Sequence, residues 1–544
     1  MSIERSKEKD YKPLSPRPEQ GGPEPGGLPT LRPQDSITNN VPPGEPQSLV
    51  NLHIHRNGVP PEQRAEKHET SHVDCMRQEA EAASPPAVAA GVASVVKPSS
   101  GSKEAKKAKA EEKDQTLLTS DRWLIRNGHV LTYVGLYLFS ILVLFRPYEL
   151  IPGLGFLSAT AFYFALATLL IYLPSQLGTE GNLTMLSTEV KAILGMTALA
   201  LVTIPIAKDP GTAWDTFTDP YIKAVVIFIV MVNVLRTHKR LMGMMWLSLG
   251  IGVYLGFAAL ILYWQGKFST EGYRVAVDVG GMFGNPNEMA MHFVMMTPLA
   301  IALGIASRNN AMRLIYFVMA VLFIAANVVT YSRGGFLGLL ACCGVLAWKL
   351  GRKYRLNVTI ASVVVGGIAL IAAPGNYGLR MLSIFIPSLD PVGSSDQRSQ
   401  LLQRSLQVTA RNPWGIGIGN FPIVGMHNLQ THNAFTQVSS ELGILGLVAY
   451  LFFIISPFRK LAAIERTLFD KDEHSWFYYL SIGLQASIIG YMVSSFFAAV
   501  AYGWFIYYLI AYAVAFRRIY SVENGLNEEI KAAPLWNRHL AEDT

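Results

Sequence analysis

The sequence predicts an all-α, polytopic membrane protein of about 12 transmembrane helices, with a long outward loop before the tenth helix and a disordered N-terminal tail. Three observations carry this. Half of the 544 residues are apolar and only 16% are charged, against about 25% charged in an ordinary soluble domain. Runs long enough to cross about 30 Å of hydrocarbon, at roughly 20 residues each, occur near 130–146, 154–173, 190–206, 220–235, 241–264, 288–306, 313–331, 333–350, 357–374, 434–457, 476–499 and 503–516. Finally, Lys and Arg gather in alternate connections between these runs, the pattern of cytoplasmic loops.

Residues 1–118 are rich in Pro, Gly, Glu, Lys and Ser and show no apolar periodicity. They cannot bury enough surface to offset the entropy of ordering and read as a disordered cytoplasmic tail. His53, His55, His68, His72 and Cys75 form a loose set there, read more simply as scattered polar residues than as a metal site. With no cleavable signal at the start, the first run serves as an uncleaved start-transfer segment. The block Lys103 to Lys113, with Arg122 and Arg126, holds the tail inside and suits contact with anionic lipid.

The basic clusters are Arg236/Lys239/Arg240, Arg308/Arg313, Lys349/Arg352/Lys353/Arg355, Arg459/Lys460/Arg466/Lys471 and Arg517/Arg518. An even helix count then puts both termini, including the C-terminal tail 519–544, in the cytoplasm of a multi-pass domain spanning 119–518. The connection 174–189 departs from the pattern, carrying Glu180 and Glu189 with no Lys or Arg. The net charge of +7 reflects these loops and gives no reason to expect nucleic acid as a partner. Three cysteines, Cys75, Cys342 and Cys343, supply neither a disulfide framework nor a Cys-based zinc site. Nothing resembles a P-loop or a dinucleotide fingerprint.

The informative polar residues fall in the connections on the opposite side. Before the sixth run stand Tyr273-Arg274 and Gly284-Asn285-Pro286-Asn287-Glu288. Glycines admit close backbone approach and the following helix offers its N-terminus, which suits an anion or a sugar; a helix-capping turn explains Asn285 and Asn287 as well. Glu288 and His292 lie four apart on one face but lack a third metal ligand. The seventh and eighth runs meet in a tight turn at Ser332-Arg333-Gly334-Gly335. A guanidinium so near hydrocarbon either snorkels or meets an anionic partner, and arginine grips phosphate oxygens bidentately.

The long loop 375–433 holds a helix start at Ser394-Ser395-Asp396-Gln397-Arg398, where Arg398 could present charge to a lipid-linked phosphate. Arg404 and Arg411 read as a solvated face, and Gly415, Gly417 and Gly419 as a turn against the membrane. Thr431-His432-Asn433 closes the loop. A histidine at a membrane surface needs only a small pKa shift to act as general base near neutral pH. Asn433, Gln437 and Glu441 follow as a polar stripe; Glu441 either pairs with an arginine or takes part in proton handling. Gly443 and Gly446 permit close helix approach.

Together these loops resemble the O-antigen ligase family of bacterial inner-membrane glycosyltransferases, which includes polysaccharide polymerases and protein O-oligosaccharyltransferases. The family signature is His, then Asn, Ser or Gln, nine residues, and Gly-x-x-Gly-Thr. It is met by His432, Asn433, Gly443 and Gly446 and departs at Leu447. Ser332-Arg333-Gly334, Pro413-Trp414-Gly415-Ile-Gly417 and Gly284-Asn285-Pro286-Asn287 also look like family features, and the likeness covers roughly 130–517.

The resemblance implies a fold of the C class of glycosyltransferases and a periplasmic loop at 375–433. It also implies a metal-independent, inverting transfer from an undecaprenyl-pyrophosphate-linked glycan, without a cofactor. The acceptor would be a glycan chain, lipid A-core or a protein hydroxyl. Arg274 and Arg333 would grip the pyrophosphate, with Arg398 as a third phosphate or loop-ordering contact; Asn285, Asn287 and Asn433 would be further substrate-binding residues, and His432 would be the base, with Glu441 as a second catalytic candidate. The alternative is a transporter or flippase of lipid-linked oligosaccharide. Such proteins place ionisable residues at the bilayer midplane, whereas the polar groups here crowd one face.

Overall fold

The computed structural model describes residues 128–525 except 151–152, 156, 270–271, 278, 280–282, 353–355, 357–359, 361–372, 374, 376, 385 and 387–393. The expected tail 1–118, most of the ninth run and residues 526–544 lie outside the described residues. What is described is all-helical. The first eight long helices are α1 (Gly128–Leu144), α2 (Leu157–Glu180), α3 (Thr188–Thr203), α4 (Pro210–Val234), α5 (His238–Trp264), α6 (Pro286–Ala306), α7 (Asn310–Val329) and α8 (Arg333–Leu350). There follow α9 (Ser394–Arg411), α10 (Ala434–Glu441), α11 (Gly443–Asp470), α12 (Trp476–Ser495) and α13 (Trp504–Glu523). Seven of the described helices, α4 to α8, α11 and α13, are long and apolar enough to cross a membrane.

Polar caps set where the helices start. Ser187, Thr237, Asn285, Asn309, Ser332 and Asn433 each stand in extended backbone, and each side chain accepts a first-turn amide. These amides would otherwise be unsatisfied at the edge of an apolar medium.

The predicted run 434–457 is not one helix. It breaks at Leu442, where Gly443 takes φ +74° and the Ile444 amide donates to the Pro413 carbonyl (2.9 Å) instead of continuing the ladder. Likewise Arg333, Gly334 and Gly335 belong to the first turn of α8, and the connection before it is Thr330 to Ser332. The last helix runs on to Glu523.

α12 packs on α6, α8 and α11. Small residues let these axes close: a Cβ at Gly490 would lie 2.7 Å from Val294 and 3.2 Å from Cys342. Hydroxyls tie the same helices, with Ser487 donating to the Met295 carbonyl (2.7 Å) and Ser494 to that of Gly334 (3.1 Å).

At one end of the bundle, cations meet carboxylates, of which Glu189 and Glu465 are fully buried. Glu180 pairs with Arg236 and Arg518, each at 2.9 Å. Glu189 pairs with Lys460 (3.0 Å) and Arg517 (3.2 Å), and Glu465 with Lys349 (2.7 Å) and Arg352. The acidic connection 174–189 therefore lies at the end that carries the basic loops. It departs from the charge pattern because it supplies their counter-charges.

Candidate active site

The site lies at the opposite end, around the start of α8. The connection from α7 is held by its own side chains: Thr330 Oγ1 donates to the Asn327 carbonyl (2.7 Å) and accepts the Ser332 amide (3.2 Å). Tyr331 between them has φ +51°, an uncommon conformation for a non-glycine residue that a surrounding network must hold. Ser332 caps α8 through the Gly335 amide (3.1 Å), and Asn327 Nδ2 donates to the Gly335 carbonyl (3.2 Å). Gly334 lies so close to the segment following α12 that a Cβ would stand 2.8 Å from the Phe497 Cβ. Arg333 thus projects from a backbone fixed on three sides.

His432 also sits at positive φ, +52°. Thr431 braces it from both sides, donating to the Asn433 carbonyl (2.8 Å) and accepting the Asn433 amide (3.3 Å). Asn433 caps α10, its Oδ1 accepting the amides of Phe435 (2.9 Å) and Thr436 (3.1 Å). α9 covers this turn and carries Arg398. It is the helix expected from the Ser394 start, and it buries Leu401, Ser405 and Val408, with Thr409 hydrogen-bonded to Ser439 of α10 (3.0 Å). Arg404 is no solvated-face residue, for its Nε donates to the Val424 carbonyl (2.9 Å).

Arg333, Arg398, His432 and Asn433 meet in one cavity of about 240 Å³, together with Thr431, Ser399, Ile384, Leu402, Phe496 and Phe497. Among the described residues of this lining none is acidic. Burial, and then the Arg398 guanidinium, hold the His432 imidazole below its ordinary pKa of 6.5, so the ring is neutral and basic at neutral pH. Two fixed cations beside a neutral imidazole can bind an anion and accept a proton from a neighbouring hydroxyl.

Arg274 is not part of that lining. It is buried, and its Nε donates to the Thr330 carbonyl (3.1 Å) while a terminal nitrogen donates to Asn287 Oδ1 (2.8 Å). The same Asn287 oxygen accepts from Ser332 Oγ (2.8 Å). Arg274 and Asn287 therefore brace the turn that presents Arg333. Asn285 caps α6 by accepting the Asn287 amide (2.9 Å).

Glu441 is fully buried and faces the glycine-rich loop. Its two oxygens accept the amides of Gly419 (2.9 Å) and Phe421 (3.3 Å), while the Ser440 and Glu441 carbonyls accept those of Ile416 (3.1 Å) and Gly417 (3.0 Å). Gly443 matters for this seam rather than for helix packing: a Cβ there would lie 2.3 Å from the Pro413 carbonyl oxygen. His292 is enclosed by the rings of Phe283, Phe293 and Phe505, and no cluster of three or more metal-ligating side chains occurs among the described residues.

Sequence alone does not single out Phe496 and Phe497, because they sit in an apolar run where any aromatic residue reads as core. Two adjacent phenylalanines just before the Tyr502-Gly503 turn were the available signal.

Residues 318–451 match the family model described as O-Antigen ligase (Wzy_C). The match runs from within α7, through Arg333, Arg398, His432 and Asn433, into α11. That stretch is similar to an O-antigen ligase domain, a likeness that supports a function of the ligase or polymerase type. No curated protein matches the chain.

Proposed function

We propose that this protein transfers a glycan from undecaprenyl pyrophosphate to an acceptor hydroxyl at the periplasmic face of the bacterial inner membrane, as an O-antigen ligase or polysaccharide polymerase. The observation that carries this reading is the convergence of Arg333, Arg398, His432 and Asn433, from three separate segments, on one cavity.

Arg333 and Arg398 bind the diphosphate, their planar forks matching its oxygens. His432 takes the acceptor proton as the acceptor oxygen attacks the anomeric carbon. The bond from that carbon to the diphosphate oxygen breaks, and undecaprenyl pyrophosphate leaves with its new charge stabilised by the guanidiniums. A single displacement inverts the anomeric configuration. The arginines supply the charge stabilisation, so chelators are expected to leave the rate unchanged. Arg274 and Asn287 act behind Arg333 by holding its turn, and Glu441 acts behind His432 by fixing the loop against α10.

The test is reconstitution of the full chain with an undecaprenyl-pyrophosphate oligosaccharide and, in turn, lipid A-core, a glycan chain and a protein acceptor. Label on one of them is expected. Passage of the donor across the bilayer with no acceptor labelled would make the protein a flippase instead.

A further inference from the structure

We propose that the side-chain amide of Asn433 donates a hydrogen bond to the diphosphate of the lipid-linked donor, making it a third ligand beside Arg333 and Arg398. This inference rests on reading the cavity as a diphosphate site.

Asn433 is 3% exposed and lines the cavity. The sense of its amide is dictated chemically. Both groups that approach one side of it, the Phe435 and Thr436 backbone amides, are donors, so the oxygen must face them. The nitrogen is left on the other side, and Nδ2 has no hydrogen-bond partner among the described residues. A buried donor without a partner is costly. Here the cost is removed by an acceptor in the cavity, and the adjacent guanidiniums select an anionic one. The helix cap and the ligand contact are therefore two ends of one side chain: the oxygen orients the amide and the nitrogen uses that orientation.

Three substitutions at Asn433 separate this from a purely structural role, read by direct binding of undecaprenyl pyrophosphate to the full-length protein in nanodiscs, with thermal stability measured in parallel. Asp keeps the cap without a donor. Ser keeps the cap and retains a hydroxyl donor. Gly is neutral, has no donor and is tolerated at caps. Loss of a hydrogen bond to a charged group weakens binding about 10- to 100-fold. Both N433G and N433D are expected to show such a loss, with N433S in between and all three variants folded. Binding by N433D equal to wild type would reduce Asn433 to a cap. Weak binding by N433D with normal binding by N433G would show only charge repulsion, and would also overturn the proposal. Because the readout is binding, a wild-type protein that binds the ligand but transfers no glycan would refute the proposed function and leave this inference standing.

Discussion

The two ends of the helix bundle use the same residue types in opposite ways. At one end Arg236, Arg517, Arg518, Lys349, Arg352 and Lys460 are clamped by Glu180, Glu189 and Glu465. At the other, Arg333 and Arg398 face a cavity whose described lining contains no carboxylate. A cation neutralised by a fixed neighbour is part of the framework. One that faces a cavity beside a neutral histidine is placed to act on something that arrives. The difference teaches that what an arginine does follows from what surrounds it, a fixed carboxylate or a cavity, not from how many arginines there are.

The comparison is broken most directly at His432. H432A is expected to lose about 10²- to 10⁴-fold in transfer, while binding undecaprenyl pyrophosphate and melting as the wild type does. Single-turnover assays in nanodiscs check this, and near-normal turnover would leave the cavity without its base.

At the framework end the expected effect is on stability instead. E465Q leaves Lys349 and Arg352 facing each other without counter-charge. Removing one partner of a buried pair costs about 3–5 kcal/mol, and the partial exposure of both cations, 16% and 20%, puts the expectation near the lower figure. Denaturation should show the loss, while specific activity of the folded fraction stays unchanged.

R333A is expected to weaken donor binding by about 10- to 100-fold, as hydrogen bonds to a charged group are lost. R333K should restore only part of it, because an ammonium cannot reproduce the bidentate fork. Full turnover by R333A would end the guanidinium clamp.

The subtlest difference lies in pH. The rate needs neutral His432, so it falls as pH drops through a pKa held below 6.5 by burial and by Arg398. Removing that positive charge raises the pKa. In R398Q the acid limb of kcat/KM, which reports the free enzyme, should therefore move to higher pH; an unmoved limb would separate Arg398 from the base.

Much of this was legible in the sequence. Order and spacing single out Arg333, His432 and Asn433, polar residues at the edge of an apolar run, and Arg398, at a helix start within the long loop. Arg274 shows the limit. Sequence places a guanidinium near the site but cannot say whether it faces the cavity or, as here, a backbone carbonyl. Glu441 is similar, since a carboxylate satisfied by backbone amides leaves no charged partner to look for. The break at Leu442 was hidden because hydropathy is blind to φ, and a glycine inside an apolar run reads equally as packing or as a bend.

That break has a mechanical consequence. Long transmembrane helices change tilt when bilayer thickness changes, and α11 spans Gly443 to Asp470. The eight-residue helix that follows His432 is not continuous with it; α10 is sewn to the 413–421 loop by Glu441 and its neighbours. The base therefore hangs from the loop, as from a suspension, rather than from the end of one continuous membrane helix.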